Sequence, residues 1–213
     1  MDNYHAKKTI VFIGAGGQAM SVYDSLDKDK FELLGFIDEE IRGSFLERPI
    51  YGSEIEDIPE ASRHFYFVCI GDNKARKKWY ERIINHNLWT LNIIDKTASV
   101  SDLAKIGNGN FVGKFAIINA GVIVGSNNII NSKALIEHGS QIGDHINLST
   151  NSTLNGDVFV GDEAYVGSCS VCNGQLTIGH HSVVGSGSVV VRDVEPYSTV
   201  VGIPARVLRK DVP

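Results

Sequence analysis

From Ile94 onward every sixth residue is aliphatic: Ile94, Val100, Ile106, Val112, Ile118 and so on, without insertion, to Val184 and Val190. The run holds seventeen hexads, sixteen of them led by Ile, Val or Leu, with Cys172 as the exception. An amphipathic helix needs apolar spacings of three and four, and a half-buried strand alternates by two, so neither element explains a period of six. The second position of the hexad is Gly or Asn in twelve of the seventeen, and the fifth is Ala, Ser or Val in thirteen. Such a unit reads as a short strand, a tight corner and a return to the same orientation. Gly and Asn are expected to supply positive φ at the corner. The leader points inward, and the small fifth residue fits the narrow inside of the bend. Three hexads close a triangular coil of eighteen residues, and nearly six coils stack into a prism about 27 Å tall at the strand spacing of a sheet.

Residues 1–92 follow a different rule and are read as a separate α/β domain, with the repeat domain and a C-terminal cap at 93–213. Thr9–Ile13 reads as a buried strand, followed by Gly14, Gly16, Gly17 and Gln18 and an apolar-periodic helix to about Leu26. Phe31–Ile37 is a second strand ending at Asp38, and His64–Ile70 a third, followed by Gly71, Asp72 and Asn73 and a helix from Lys74 to about His86. Alternating strands and helices imply a small parallel, Rossmann-like sheet. A glycine loop between strand and helix lets backbone N–H groups meet a phosphate, and a carboxylate such as Asp38 can accept from a ribose or a base. Two other readings stand beside this one. The glycines can serve the turn alone, or they can mark a dinucleotide dehydrogenase, although no domain for hydride chemistry follows.

Composition narrows the function classes. A formal net charge of -5 gives no support to nucleic-acid binding. The basic stretch Lys74–Lys78 is interrupted and reads as a solvated helix face. Three cysteines, Cys69, Cys169 and Cys172, cannot build a disulfide framework and are expected as buried free thiols in a reducing compartment. The acidic start Met1–Tyr4 and the absence of any long apolar run lead us to expect a cytoplasmic protein without a membrane partner. No metal is expected: His138 and His145 are seven apart on different faces, without ligand spacing. A lone prism would leave flat faces with hydrophobic edges and two open ends. We therefore expect three copies packed side by side, the N-terminal domain over one end and the segment after Pro196 over the other.

Five stretches carry a family resemblance: Val11–Gly17, Ile70–Arg76, Ile136-Glu137-His138, Val189–Val194 and Gly202–Arg206. Together they resemble the bacterial sialic-acid O-acetyltransferase family, which includes N-acetyltransferases of nucleotide-linked 4-amino-4,6-dideoxy sugars. The resemblance runs from Ile10 to Arg209. It implies a left-handed β-helix, against the usual crossover rule, a homotrimer, and acetyl-coenzyme A as co-substrate. It implies N-acetylation of a nucleotide-linked amino sugar for O-antigen, capsule or glycoprotein glycans, with O-acetylation of sialic acid or a non-enzymatic nucleotide-sugar-binding protein as alternatives. By position, His138 is the general base, Gly156 offers an oxyanion N–H, and eighteen-residue arithmetic stacks the two one coil apart. Coenzyme contacts fall to Gly156, Ser168, Gly174, Ser186, Gly187, Arg192 and Arg206. Sugar-nucleotide contacts fall to Gly14, Gly16, Gly17, Gln18, Asp38, Gly71, Asn73 and Arg76. Three departures stand out. Gly139 occupies the place of an acid that orients the histidine, Asn147 that of a second histidine, and Gln18 that of a histidine in the glycine loop. Asp157, eighteen residues beyond Gly139, is the expected substitute for the missing acid.

Overall fold

The computed structural model describes residues 7–210. In its front part a six-stranded sheet has the order β3-β4-β2-β1-β5-β6. The strands are β1 (Lys8–Ile13), β2 (Phe31–Ile37), β3 (Ser44–Phe45), β4 (Arg48–Gly52), β5 (Phe65–Val68) and β6 (Trp89–Thr90), with helices α1 (Gly17–Ser25) and α2 (Asn73–Asn85). All pairings are parallel except the β3–β4 hairpin, which the sequence reading missed along with β6. β3 and β6 are two residues long and lie at the sheet edges, where periodicity carries little signal.

The repeat folds as its period requires. Each of the seventeen hexad leaders ends a two-residue strand, from Ile93–Ile94 to Val189–Val190. Each strand pairs in parallel with the one eighteen residues on, as Ile118 with Ile136 and Ile136 with Leu154. The stacked strands make three faces. The first begins at Ile93–Ile94, the second at Ser99–Val100 and the third at Lys105–Ile106. Leaders and fifth-position residues together fill the interior, a column of buried Val, Ile, Leu and Ala from Val112 to Val200.

The corners differ from expectation in one respect. Positive φ belongs to the fourth residue of the hexad, and non-glycine residues adopt it repeatedly: Asn127, His145, Asp157, Glu163, Cys169 and His181 all lie between 54° and 61°. The second-position glycines answer a different constraint. A Cβ on Gly125 would sit 2.6 Å from the carbonyl oxygen of Gly143 in the next coil, closer than any real contact. Glycine is required there because coils stack at strand spacing, and the left-handed turn is made elsewhere.

The front domain also sits differently from expectation. It covers a side of the prism rather than an end: Ile93, Phe111 and Ile129, the outward residues of the first face, join Ile10, Phe12, Leu33 and Phe67 in one core. The first coil stays open, with Ile94 41% and Leu103 72% exposed. At the other end Ser198–Val201 adds a parallel strand to the first face and Arg206–Lys210 returns antiparallel to it. Val194 and Val200 close that end of the core. Cys69 and Cys172 are buried as expected, but Cys169 is exposed on a corner, because the fourth hexad residue points outward. The Lys74–Lys78 stretch is no simple solvated face either: Arg76 is 1% exposed, and Lys77 pairs with Glu163 at 2.6 Å. No helix among the described residues is long and apolar enough to cross a membrane.

Interior leaders should carry the stability of the prism. Truncating Leu148, fully buried in mid-column, should cost about 2–5 kcal/mol in urea unfolding. Ile123→Ala on the third face, where Ile123 is 46% exposed, should cost less than about 1 kcal/mol.

Candidate active site

His138 is the third residue of its hexad and stands exposed on the corner between the second and third faces. One coil later its ring lies over Gly156: a Cβ there would meet the imidazole Cε1 at 2.7 Å and Nε2 at 2.9 Å. Only glycine leaves room for the ring, and glycine also leaves the Gly156 N–H open. That amide donates no hydrogen bond among the described residues, while the Gly156 carbonyl accepts from Gln175 N at 2.9 Å. An exposed imidazole and an amide without a hydrogen bond among the described residues thus lie side by side. A base beside an oxyanion donor is what acyl transfer requires.

Asp157 has φ of 60°, and its N–H donates to the His138 carbonyl at 2.9 Å. Its Oδ1 fills the space that a side chain on Gly139 would enter. The carboxylate therefore stands where an acid after the histidine would emerge, delivered from the next coil. Glu137, on the other side of His138, is engaged by Asn119 Nδ2 at 2.9 Å.

Gly174 and Arg192 continue the His138–Gly156 stack on the same corner, at eighteen-residue steps. Ser168, Ser186 and Gly187 lie on the corner between the first and second faces, one full face away. Arg206, exposed at the start of the last strand, gives its guanidinium to the Ala205 carbonyl. Within one chain these residues do not form one groove. The second face separates them, and its outward row of Ile117, Leu135, Thr153, Val171 and Val189 is largely apolar.

A crevice of about 290 Å³ opens at the C-terminal ends of β1, β2 and β5, lined by Gly14, Ile37, Asp38, Ile70 and Lys78 among others. Gly14 has φ of 95°, and a side chain there would press on the Cys69 carbonyl. Gly16 and Gly17 face open space at the start of α1, so a ligand can approach their backbone. Gln18 has a buried Nε2 without a partner among the described residues. The Asp38 carboxylate is largely committed to the chain itself. It accepts from Ala15 N at 2.8 Å, Glu40 N at 2.9 Å and Ile41 N at 2.8 Å, which ties the glycine loop to the loop after β2. Burial opposes its ionisation, but these three amides and Arg42 outweigh it and hold the carboxyl below its ordinary range.

Two expected sugar-nucleotide ligands bond to the prism instead of opening into this crevice, and Asn73 also lines the cleft between α2 and the first face. Arg76 is buried and donates to the carbonyls of Asn127, His145 and Ile146 in the prism. Asn73 gives its amide to the carbonyls of Glu163 and Ala164. Both turn from the crevice because α2 packs against the prism through that side of its first turn. Gly71, by contrast, is exposed. It borders a second cleft of about 840 Å³ between α2 and the first face, with Tyr165, His181, Tyr197 and Arg209. Sequence reasoning missed this wall. His181 stacks on Tyr197 at 4.7 Å and lies 3.6 Å from Glu163, a pairing that eighteen-residue arithmetic from 163 to 181 would have found. Asn147 reaches the same loop, its Nδ2 being 3.4 Å from the Gly71 carbonyl. No group of three or more His, Cys, Asp or Glu among the described residues is placed to hold a metal ion.

Residues 9–83 match the PglD N-terminal domain family. The chain is similar over 95% of its length, and over 97% of the other chain, to a histidine mutant of perosamine N-acetyltransferase from Caulobacter crescentus solved with CoA and GDP-perosamine, at 31% identity and a TM-score of 0.89. It is 27% identical to the acetyltransferase domain of PglB from Neisseria gonorrhoeae, covering 95% of this chain and all of that one, with a TM-score of 0.90. A protein of Acanthamoeba polyphaga mimivirus is 32% identical over 111 residues, which are 52% of this chain. The chain spans about a fifth, 22%, of the length of that curated relative.

The Asp38 clamp has a pH signature. A carboxyl held low contributes stability above its unfolded value of 3.8 and loses it as pH falls through the lower folded value. The melting temperature of Asp38→Asn should therefore lie below that of the native chain at pH 6–7. The gap should close on acidification through the carboxyl range, as scanning calorimetry across pH would show.

Proposed function

Because the chain belongs to the hexapeptide-repeat family of bacterial nucleotide-sugar N-acetyltransferases, with a left-handed parallel β-helix behind a Rossmann-like domain, we propose that it moves acetyl from acetyl-coenzyme A to the 4-amino group of a nucleotide-linked 4-amino-4,6-dideoxyhexose. The observation that carries this reading is the exposed His138 ring stacked on the open amide of Gly156. The neutral amine attacks the thioester carbonyl while His138 accepts the proton that the new C–N bond releases. The Gly156 N–H donates to the oxygen that gains charge. When the C–S bond breaks, the electron pair leaves on sulfur, and the proton held by His138 neutralises the thiolate. Asp157, beside Gly139, orients the imidazole in place of the acid absent there.

Residues 1–92 hold the nucleotide sugar and 93–213 perform the transfer. The diphosphate lies on the backbone of Gly14, Gly16 and Gly17 near Gln18, with Asp38 and Ile70 bounding the crevice and Gly71 at the rim of the second cleft. The hexose passes the Gly71 loop into the cleft on the first face. That face is the one opposite the His138 corner, so the amine meets the histidine of a neighbouring copy. A homotrimer with the apolar second faces packed around its axis brings the His138–Gly174–Arg192 corner of one copy to the Ser168–Ser186–Gly187 corner of the next. The pantetheine arm and phosphates run along that seam toward Arg192 and Arg206. The product serves O-antigen or related glycan assembly in the cytoplasm.

A thiol-release assay with acetyl-coenzyme A and a panel of GDP-, UDP- and dTDP-linked 4-amino sugars tests the reading. His138→Asn should lower kcat at least about 10²-fold with coenzyme affinity kept. Asp157→Asn should lower it by about 10-fold and move the acid limb of the pH–rate profile, if orientation is its role. Unchanged turnover in Asp157→Asn would remove that residue from the mechanism. Val171→Lys, which puts a charge on the second face, should reduce the light-scattering mass from trimer to monomer and abolish transfer with it. An active monomer would rule out the shared seam.

A further inference from the structure

Among the described residues Arg76 is the largest fully buried side chain, 1% exposed at the junction of α2 and the prism. Its guanidinium is held by neutral oxygens from two bodies at once. Nη1 donates to the carbonyls of Ile70 at 3.3 Å and Gly71 at 3.0 Å, in the loop that bounds the sugar-nucleotide crevice. Nε donates to Asn127 O at 3.0 Å, and Nη2 to His145 O at 2.8 Å and Ile146 O at 3.1 Å, all in the prism. Nη2 also meets Asn73 Oδ1 at 2.7 Å. Burial pulls its pKa down to about 10, which leaves it cationic at neutral pH.

The prism side of this contact is ordered by the repeat. Asn127, His145, Glu163 and His181 are eighteen residues apart, all left-handed, and form one column on the corner between the third and first faces. Helix α2 lies along the column. Tyr80 meets His145 edge-on at 5.7 Å, Arg76 takes the carbonyls beside Asn127 and His145, and Lys77 pairs with Glu163 at 2.6 Å. A cation bound by carbonyl dipoles from both sides fixes their relative height, because the planar fork fits only one arrangement. A lysine, with three donors on a flexible stem, cannot serve six acceptors.

We propose that Arg76 is a positioning residue for acetyl transfer: it locks the crevice loop Ile70–Gly71 to the Asn127–His145 column, and so sets where the acceptor amine arrives. The proposal rests on the transferase reading above and adds to it the device that aligns the two halves. Displacing a reacting group by about 1 Å costs on the order of 10²-fold in rate, even from a mutation remote from the chemistry.

Arg76→Lys in the full-length protein tests it. The lock predicts a fall in kcat of about 10–100-fold, while the dissociation constants of coenzyme A and of the free nucleoside diphosphate stay within about 2-fold. A diphosphate affinity that weakens in step with kcat/KM, at unchanged kcat, would make Arg76 a substrate ligand and overturn the proposal. So would a kcat within about 2-fold of native per folded protein, since that is the mark of a purely structural residue. If Arg76→Lys does not fold, Lys77→Met decides: it removes a partly exposed partner of the same column and should lower kcat at least about 3-fold, and unchanged turnover defeats the lock. Hydrogen exchange needs no substrate. Amides 70–73 and 127–129 should exchange faster together in the variant, with the distant coils unchanged, and unaltered exchange there overturns the proposal. Native protein that releases no thiol with any nucleotide-linked amino sugar would sink the activity reading, while the exchange measurement still judges the lock.

Discussion

The hydrogen-bonded stacking of coils eighteen residues apart is the constraint on which the rest of the molecule depends. Parallel strands two residues long would be marginal alone. Sixteen of the seventeen share one aliphatic column, so each inner coil is held from above and below. On the corner after the third face the stacking distance leaves no room for a Cβ at the second hexad position, and Gly107, Gly125, Gly143, Gly161 and Gly179 fill it, whereas Asn119, Glu137 and Asn155 stand at the same position after the second face. The same distance makes residues eighteen apart immediate neighbours. Their side chains therefore interact along the axis, as when Ser126 N and Asp144 N donate to the carboxylates of Asp144 and Asp162 one coil on.

Each corner turns that geometry to a different end. On its corner His138 is stacked between Ala120 and Gly156 of the adjoining coils, small residues that leave the imidazole exposed with an unbonded backbone amide beside it. The corner bearing Asn127, His145, Glu163 and His181 carries larger polar residues, and these receive helix α2. Burial lowers the pKa of His145, which favours its neutral form, and its ring packs against Tyr80. It acts as a packing residue, although it shares its residue type with the exposed His138. Environment, more than identity, separates the two roles.

Placing the α/β unit on one face and the histidine on the opposite corner has a chemical consequence. Under the proposed transfer, a ligand held in the crevice of one copy lies across the prism from the imidazole of that copy, so that reading calls for a second chain. A rigid junction then matters more than it would in a site enclosed by one chain. That gives a physical reason for a buried arginine bound by six neutral acceptors where an apolar contact would suffice for stability.

The linear chain by itself determined the prism, its three faces, the inward positions and the stacking of His138 with Gly156, because these follow from a period and period is a local property. It also located the glycine loop and the strands that end at Ile13 and Ile37. Only the tertiary structure decided that positive φ falls at the fourth hexad residue. It alone decided that the front domain packs against a side and leaves the first coil open, and that Cys169 is exposed. It also tied Arg76 and Asn73 to prism carbonyls and committed Asp38 to three backbone amides. Each of these rests on contacts between segments with no shared period, such as α2 against coils fifty to ninety residues away. A repeat specifies its own neighbours, whereas the docking of one unit on another is specified only by the surfaces that meet.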